Sequence, residues 1–576
     1  MTARYHRAHA ADDAPRRRLP VHGMTGLGFT LLVALAAALV LGALAHRLRL
    51  PPMLGYIAAG MAVGPFTPGF VADREEVLAL ADIGVALLMF SIGLQFSLGE
   101  LRSVGGRILA GVPVQVAFTM AIGTATGLAL GWELLSALFI GGAVSVASTV
   151  VLVKVAGEGA LHTTAYGRTA LGVSIVQDLL TVVLVVGLSA LGGQADESWF
   201  GFIGAGLVAL GFVALVLVGG SRVLPQLLGF IAGLRSRELF VIAVAVISIG
   251  TAFAASALGV SVALGAFVAG LALADSDLTA SVLGEIVPLR ELFSTFFFVS
   301  IGILLQPTAI LTAWPVVLAL LLIITLGKAV PIAGLALLDG QTPSNALRTG
   351  ALIGQSGEFS FVLASAGLAL GAVAPETFSL AMGAVVISIL TAEPLMAAAR
   401  WIGPRFDAAM PRAPLPGDEP PTGLRRHAVI LGYGRVGRSV ARVLESRGFG
   451  WVAVDSDYGV TREARAAGAH VIYGEAGTPP VLDQAGVAEA HVMVVCVPDA
   501  LASRQAVVYA RDRNPRIEIV ARAHSDAEET DLRRLGAARV VVADRELGNE
   551  MIRHALRRFG VSDREVAAIL ETRRRM

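Results

Sequence analysis

Long runs of apolar residues alternate with short polar stretches as far as residue 403. A helix needs about 20 apolar residues to cross the ~30 Å hydrocarbon core of a bilayer. The pattern therefore predicts a polytopic all-α membrane domain with thirteen spanning helices, of which the second and ninth are short. These helices are predicted at about 25–45, 51–66, 77–96, 108–131, 134–155, 165–192, 200–220, 238–257, 259–274, 288–306, 312–337, 346–371 and 376–401.

The pattern changes sharply after residue 403, where charged residues become as frequent as in soluble proteins. Over all 576 residues, a hydrophobic fraction of 55%, a charged fraction of 15% and a mean hydropathy of +0.72 exclude an ordinary soluble globular protein. The predicted organisation is a polar tail at 1–23, a membrane domain at 24–403, a proline-rich linker at 404–424, an α/β domain at 425–545 and a helical extension at 546–576.

The membrane domain contains an internal repeat. The pattern Leu54-Gly55-x-x-x-Ala59-Gly60-x-Ala62 recurs 210 residues later as Leu264-Gly265-x-x-x-Ala269-Gly270-x-Ala272, and Ser91-Ile92-Gly93 recurs 209 residues later as Ser300-Ile301-Gly302. Each offset relates a residue in one predicted helix to a residue in the helix seven places later in the chain. Because seven is odd, the two copies have opposite orientations in the membrane, which is an architecture of secondary transporters.

Loop charges predict the orientation. Basic residues concentrate in the odd-numbered loops and the helix ends beside them, whereas the even-numbered loops contain only Arg74. By the positive-inside rule, the odd loops and the C-terminal domain are cytoplasmic and the N-terminus is outside, although the Arg-rich tail opposes this orientation. The odd-loop residues are Arg47, Arg49, Arg102, Arg107, Lys154, Arg168, Arg222, Arg235, Arg237, Arg290 and Arg348.

The net charge and the cysteine content limit the kinds of partner and binding site that the sequence predicts. The formal net charge is +1, which indicates no nucleic-acid partner. The single cysteine, Cys496, excludes an intramolecular disulfide and offers no metal-site spacing.

The sixth predicted helix carries Gln177 and Asp178 in the middle of an apolar run. A carboxyl group at the centre of a bilayer costs about 3 kcal/mol or more, and such groups usually bind ions or relay protons. Asp178 is therefore the leading candidate for a site that binds a monovalent cation and a proton. The alternative is a carboxyl group neutralised by a neighbouring helix.

Two other helices have polar interruptions at matching positions. The fifth contains Ser145, Ser148 and Thr149, and the position 209 residues later in the twelfth contains Gly354-Gln355-Ser356-Gly357-Glu358. Broken helices of two inverted copies meet near the midplane in transporters, where their carbonyl groups and dipoles bind the substrate ion. We therefore place the cation site at these breaks, with helix packing through small residues as the alternative.

Lys328 lies inside the eleventh predicted helix, and Glu358 lies in the second break. Lys328 is a candidate counter-charge for Asp178 or Glu358 in the empty state. Snorkelling of the lysine towards the interface is the alternative. Glu358 is a candidate partner of a helix end, a basic group or the cation.

The soluble domain begins with a strand at 427–432 that leads into Gly432-Tyr-Gly434-Arg435-Val436-Gly437 and then a helix. A second strand ends at Asp455, 18 residues beyond the last glycine. The glycines allow phosphates to approach the N-terminus of the helix, and the acid suits a ribose hydroxyl. Further strands at 471–473, 492–497, 518–522 and 539–543 complete a Rossmann-like α/β pattern.

The membrane motifs carry a family resemblance. Gly60-x-x-x-Gly64-Pro65, Phe90-Ser-Ile-Gly-Leu94, the Ser148-Thr149 break, Gln177-Asp178 and Gly354–Phe359 together resemble the second monovalent cation:proton antiporter family, in particular Kef-type potassium:proton antiporters of the bacterial inner membrane. The resemblance implies that cation and proton compete for Asp178. It also implies that Gln177 stands where electrogenic sodium antiporters carry a second acid. Gln95 differs from the family pattern, because several relatives have an acidic residue at this position.

The soluble domain resembles the RCK-N (TrkA-N) domain, which binds NAD(H) or an adenine nucleotide such as AMP and pairs as a homodimer. The resemblance assigns nucleotide contacts to Gly432, Gly434, Gly437 and Asp455, and we include Arg435 and Val436, which lie between the last two glycines, as candidates. It makes Glu475, in Gly474-Glu475 where Gly-Asp is common, a further candidate. Whether glutathione, an adduct or an accessory regulatory subunit gates the transporter is open.

Three other functions compete with a potassium antiporter. An oxidoreductase needs a substrate domain beside the nucleotide, and the rest of this chain is instead a membrane domain. A ligand-gated potassium channel needs a carbonyl filter such as Thr-Val-Gly-Tyr-Gly, which the sequence lacks. Sodium:proton exchange by the same fold stays open, because pocket size and ligand field decide between the two ions.

Overall fold

The structure is a computed structural model that describes residues 27–67, 74–95, 106–157, 161, 164–192, 208, 211–258, 260–409 and 426–575. Within these residues, ten helices are long and apolar enough to cross a membrane, and two shorter apolar helices accompany them. One of the ten, Leu134–Ala156, is interrupted near its middle, and a second interrupted pair of helices lies near the end of the membrane domain. The helical membrane domain expected from the hydrophobic pattern is therefore confirmed.

The membrane helices are α1 (Leu27–Arg47), α2 (Pro52–Ala62), α3 (Arg74–Gln95), α4 (Gly106–Ala129), α5 (Leu134–Ser145), α6 (Thr149–Ala156), α7 (Ala165–Gly192), α8 (Gly211–Gly233), α9 (Arg237–Ala257), α10 (Val262–Leu273), α11 (Thr279–Leu304), α12 (Pro307–Thr312), α13 (Trp314–Leu338), α14 (Pro343–Ile353), α15 (Glu358–Ala369) and α16 (Pro375–Ala409). Helix α9 begins and ends 210 residues after α1, and α14 and α15 begin 209 residues after α5 and α6.

The chain divides into two compact units, and the first comprises residues up to 96 together with 210–307. Its helices approach one another closely at glycines, and each such contact has a counterpart in the other copy of the repeat. A Cβ atom on Gly60 of α2 would lie 1.9 Å from the carbonyl oxygen of Val299, and one on Gly302 of α11 would lie 2.0 Å from that of Ile57.

The repeat-related pair in this unit makes the same kind of contact. A Cβ atom on Gly93 of α3 would lie 2.2 Å from the Phe267 carbonyl oxygen, and one on Gly270 of α10 would lie 2.2 Å from that of Phe90. Only glycine permits such close approach of two helix backbones. The two contacts are those that a pseudo-two-fold axis produces, which supports the repeat predicted from the sequence.

The second unit combines residues 97–209 with 308–576 and contains both interrupted helices. Helices α5 and α6 are separated by an extended stretch around Val146, and α14 and α15 by one around Gln355. Around them pack α4, α7, α13 and α16. Both breaks therefore lie where polar and small residues interrupt the apolar pattern.

The same unit contains the α/β domain. Its strands are β1 (Ala428–Leu431), β2 (Trp451–Asp455), β3 (Val471–Tyr473), β4 (Val492–Val495), β5 (Glu518–Ala523) and β6 (Arg539–Val542), and its helices are α17 (Arg435–Ser446), α18 (Tyr458–Ala466), α19 (Pro479–Gln484), α20 (Ala500–Arg513), α21 (Asp526–Arg534), α22 (Ala543–Arg558) and α23 (Asp563–Arg575). The sheet is parallel throughout, in the order β3-β2-β1-β4-β5-β6. This doubly wound order confirms the predicted Rossmann-like fold.

Three element boundaries differ most from the prediction. Helix α11 begins at Thr279, nine residues before the predicted start at 288. The seventh helix was expected at 200–220, of which residues 200–207, 209 and 210 lie outside the described residues. Helix α8 continues to Gly233, because a π-helical turn at Val216–Gly220 carries it past the polar Ser221 and Arg222. Helix α16 extends to Ala409 through Pro404, so the first residues of the expected linker are helical. The remainder of that linker and the polar tail at 1–23 lie outside the described residues.

Candidate functional site

The two breaks cross each other in direct contact. Ser148 is the N-cap of α6, and Gly357 is the N-cap of α15. A Cβ atom on Gly357 would lie only 2.0 Å from the Cβ atom of Ser148, so a glycine is needed where the second extended stretch passes the first. The crossing leaves the carbonyl ends of α5 and α14 and the amide ends of α6 and α15 close together.

Lys328 of α13 neutralises the carbonyl ends. Its Nζ atom donates to the carbonyl oxygens of Val146 (2.7 Å) and Gln355 (2.6 Å) and to the hydroxyl of Ser356 (2.9 Å), and its side chain is fully buried. An ammonium group has three N–H donors, so these acceptors use all of them. A helix C-terminus carries about half a negative charge, which explains how one lysine is held between two helix ends.

Two glutamine side chains hold the breaks in register. The amide group of Gln355 donates to the carbonyl oxygen of Ser148 (2.9 Å) and accepts from its N–H group (3.3 Å). The Gln177 Oε1 atom accepts from the N–H group of Ala147 (3.0 Å), and its Nε2 atom donates to Gln115 Oε1 (2.6 Å). These bonds replace part of the helical bonding that each break removes, and each Oε1 atom keeps one lone pair that the described residues do not use.

Asp178 of α7 faces the first turn of α6. Its Oδ2 atom accepts a hydrogen bond from Thr149 Oγ1 (2.9 Å), which in turn lies 2.6 Å from Ser174 Oγ. The Oδ1 atom is buried and has no hydrogen-bond partner among the described residues. Glu358, the first residue of α15, lies within electrostatic range of Asp178. Each amide end of a broken helix thus has a carboxyl group nearby.

Most of the predicted site residues lie together in the structure. Asp178, Thr149, Ser148, Gln177, Gln355, Glu358 and Lys328 all lie at or beside the crossing. The hydroxyl of Ser145 instead donates to the Gly142 carbonyl oxygen of its own helix (2.7 Å), so only its carbonyl oxygen reaches the network. The bonds of Lys328 go to helix ends and a hydroxyl, and not to Asp178 or Glu358 as expected for a counter-charge.

Two residues of this network were missed from the sequence, Gln115 and Ser174. Gln115 is buried in the middle of the apolar α4, where its Nε2 atom donates to the Ser145 carbonyl oxygen (3.3 Å). The rule that singled out Gln177, a polar amide within an apolar span, applies equally to Gln115. Ser174 lies one turn before Asp178 on α7, and a lone serine in a membrane helix gives no comparable signal.

The α/β domain contains a second candidate site, at the carboxyl ends of β1 and β2. Gly432 adopts a left-handed conformation (φ 94°), and a Cβ atom on Gly437 would lie 1.9 Å from the Gly432 carbonyl oxygen. Asp455 accepts from the N–H groups of Tyr433 (2.6 Å) and Asp457 (2.8 Å). The glycines therefore form a tight turn into α17, and Asp455 fixes it from the next strand.

All seven predicted nucleotide contacts line one cavity of about 860 Å³: Gly432, Gly434, Arg435, Val436, Gly437, Asp455 and Glu475. Burial raises the pKa of Asp455, against the two amide hydrogen bonds that favour its carboxylate form. Burial also raises the pKa of Glu475 to about 7, against the attraction of Arg348. Cys496 lines the same cavity, and burial raises the pKa of its thiol to about 11.

Comparison with known families decides the identity of the chain. Residues 34–398 match the transmembrane sodium/hydrogen exchanger family, and residues 428–543 match the TrkA-N domain. The chain belongs to the sodium/hydrogen exchanger family. Within it, the chain is a cation/proton antiporter of the Kef type with a C-terminal TrkA-N domain, as the resemblance of its motifs implied.

Two relatives extend over nearly the whole chain. The putative cation/proton antiporter YbaL of Escherichia coli is 34% identical over 92% of this chain and 98% of its own length. The putative K⁺ efflux antiporter KefB of Alkalimonas amylolytica is 28% identical over 96% of this chain and 84% of its own length. The crystal structure of the TrkA-N domain of YbaL is 30% identical, covers 23% of this chain and 96% of its own, and has a TM-score of 0.22.

Replacing Lys328 by Met tests its role at the helix ends. The variant leaves the carbonyl oxygens of Val146 and Gln355 without their donor, and a buried unsatisfied group costs about 1–3 kcal/mol. We expect the melting temperature in detergent to fall by several degrees, whereas Lys154→Met, at the exposed end of α6, leaves it unchanged. Adding Asp178→Asn to Lys328→Met should not restore stability; restoration would identify Lys328 as the counter-charge of Asp178.

Proposed function

We propose that the antiporter exchanges potassium for protons at Asp178, one for one, across the bacterial inner membrane. The observation that carries this proposal is the pair of carboxylate oxygens, one held by Thr149 and the other buried with no partner among the described residues. A buried acceptor without a partner is costly. A cation can bind this oxygen, and a proton can neutralise the same carboxylate, so the two compete for one group.

The surroundings of Asp178 suit a monovalent cation. Hard cations prefer oxygen ligands, and the hydroxyls of Thr149 and Ser174 stand beside the carboxylate. Helix α6 begins at Thr149, so its positive end favours the charged carboxylate when no cation is bound. Protonation neutralises the group and removes the main attraction for the cation, which is the condition for exchange.

Potassium is proposed as the substrate cation in preference to sodium. Support comes from the relative in Alkalimonas amylolytica, which is named a K⁺ efflux antiporter. Loop charges support a cytoplasmic C-terminal domain and an external N-terminus. A homodimer paired through the TrkA-N domain is part of the proposal, and control by an accessory subunit stays open.

The TrkA-N domain is proposed to bind an adenine nucleotide, AMP or NAD(H), and to regulate transport. The tight glycine turn at the N-terminus of α17 and the acid at the end of β2 support this ligand, because they suit a phosphate and a ribose. A nucleotide shifts transport only if it binds the active and inactive conformations with different affinity.

Asp178→Asn should abolish exchange in proteoliposomes and leave a folded protein. The amide keeps the volume of the carboxyl group but cannot ionise, so it cannot alternate between proton and cation. Proton flux is measured against gradients of potassium, sodium and lithium, with Asp339→Asn, a surface carboxyl, as the matched control. Near-normal exchange by Asp178→Asn would remove this residue from the mechanism, and a larger flux with sodium than with potassium would reverse the assigned substrate.

The exchange should be electroneutral. Gln177 cannot titrate, so Asp178 alone is proposed to trade one cation for one proton, while Glu358 keeps its protonation state and Lys328 stays bonded to the helix ends. An imposed membrane potential is therefore expected to leave the initial rate of exchange nearly unchanged in proteoliposomes. A steep dependence of that rate on voltage would show that a second group, such as Glu358 or Lys328, changes its charge during the cycle.

Asp455→Ala should weaken nucleotide binding and change the basal rate or its regulation, without changing which cation is carried. The variant loses the ribose contact, the bond to the Tyr433 N–H group that holds the glycine turn, and the bond to the Asp457 N–H group after β2. Calorimetric titration of AMP and NAD gives the affinity, and flux gives the rate, with Asp483→Asn on the surface as control. Loss of binding with unaltered transport and regulation would reduce the domain to a scaffold for dimerisation.

A further inference from the structure

The membrane helices of the second unit contact the nucleotide domain through two ion pairs. Arg168, at the start of α7, pairs with Asp457, which follows β2. Arg348, within α14, pairs with Asp499 after β4, with 3.1 Å between Nη1 and Oδ2. Both acids also cap helices of the nucleotide domain, so they lie at the ligand-binding edge of the sheet.

Both arginines line the cavity that holds the predicted nucleotide contacts. The glycine turn, Asp455 and Glu475 form one side of it. The membrane helices and the segment before α7 contribute Thr164, Ala165, Tyr166, Arg168, Asn345 and Arg348. A ligand seated at the glycine turn therefore shares its cavity with two positive charges that do not belong to the nucleotide domain.

Arg348 has unused capacity for an anion. Only 5% of the residue is exposed, and its Nε atom is buried with no hydrogen-bond partner in the part of the chain that the structure describes. A guanidinium group presents five N–H donors in a planar fork that suits phosphate oxygens. A buried donor without an acceptor is costly, and a phosphate group beside it would remove that cost.

We propose that Arg348, assisted by Arg168, completes the nucleotide site from the membrane side by binding phosphate oxygens in exchange for Asp499 and Asp457. The inference rests on the proposed binding of a nucleotide to the glycine turn. The phosphate lies between the N-terminus of α17 and the guanidinium groups. Nucleotide binding thereby replaces direct ion pairs between the two parts of the unit by a bridge through the ligand.

Replacing the two ion pairs by phosphate contacts acts directly on the helices that form the ion site. Arg168 lies ten residues before Asp178 on α7, about 15 Å along a helix that rises 1.5 Å per residue. Arg348 lies on α14, which ends at Ile353, just before the second break. The nucleotide therefore influences both halves of the crossing without an intermediate element.

Affinity measurements on the full-length protein in detergent test the inference. Arg348→Gln should weaken AMP binding roughly 10- to 100-fold, the loss expected for a charge-assisted hydrogen bond, and leave adenosine affinity unchanged. Asp499→Asn should strengthen AMP binding, because it removes the competing carboxylate and still caps α20. Inorganic phosphate alone should bind far more weakly than AMP. Arg504→Gln, which removes an arginine paired with Asp531, is the matched control and should bind AMP like the parent.

A second variant covers the case in which Arg348→Gln does not fold. Arg168 is more exposed, and Arg168→Gln should weaken AMP binding in the same sense. In proteoliposomes, saturating AMP should change the exchange rate of the parent more than that of either arginine variant.

The outcomes separate this inference from the proposed function. Binding of neither AMP nor NAD by the parent would overturn nucleotide regulation and this inference together. Parental AMP affinity in both arginine variants would overturn this inference alone. An equal loss of adenosine affinity would do the same, because it would show a structural role. Inorganic phosphate that binds as tightly as AMP would overturn the assignment of the phosphate to a nucleotide.

Discussion

The hydrogen bonding of the buried Lys328 ammonium group is the interaction on which the crossing of the two breaks depends. Two interrupted helices cross at Ser148 and Gly357, and the crossing brings two negative helix ends together in a region without water. Lys328 bonds both ends at once, so it offsets their repulsion and satisfies their carbonyl oxygens. With the negative ends occupied in this way, the positive ends of α6 and α15 remain available to face the carboxyl groups of Asp178 and Glu358.

The site divides its polar residues into two groups with different tasks. Gln177, Gln355 and Lys328 bond mainly to backbone groups of the breaks, with Gln115 and Ser356 as side-chain partners, and hold the breaks open. Asp178 keeps one carboxylate oxygen without a partner among the described residues. This division explains how a membrane site tolerates many polar atoms: the glutamines and the lysine satisfy groups of the fold, and the unpartnered Oδ1 atom belongs to the group proposed to exchange ions.

The sequence predicted the helices, the repeat and both breaks, because hydrophobic periodicity and glycine spacing reflect burial directly. It identified Lys328 as deeply buried but not its partners, since those are backbone carbonyl groups that every residue possesses. Ser174 was missed for a related reason, because a serine in a membrane helix ordinarily bonds its own backbone. Arg168 and Arg348 were read only as loop charges, since their role depends on how the nucleotide domain packs against α7 and α14.

The magnitudes limit what a nucleotide can do to this transporter. Moving a two-state equilibrium from 1:99 to 99:1 takes about 5.5 kcal/mol of differential binding, whereas a hydrogen bond to a charged group contributes about 1.5–3 kcal/mol. Exchanging the two ion pairs of Arg168 and Arg348 for phosphate contacts gains only the difference between two interactions of similar strength. Under the proposed exchange, the nucleotide domain of one chain would adjust the transport rate by degrees, and complete closure would require further contacts.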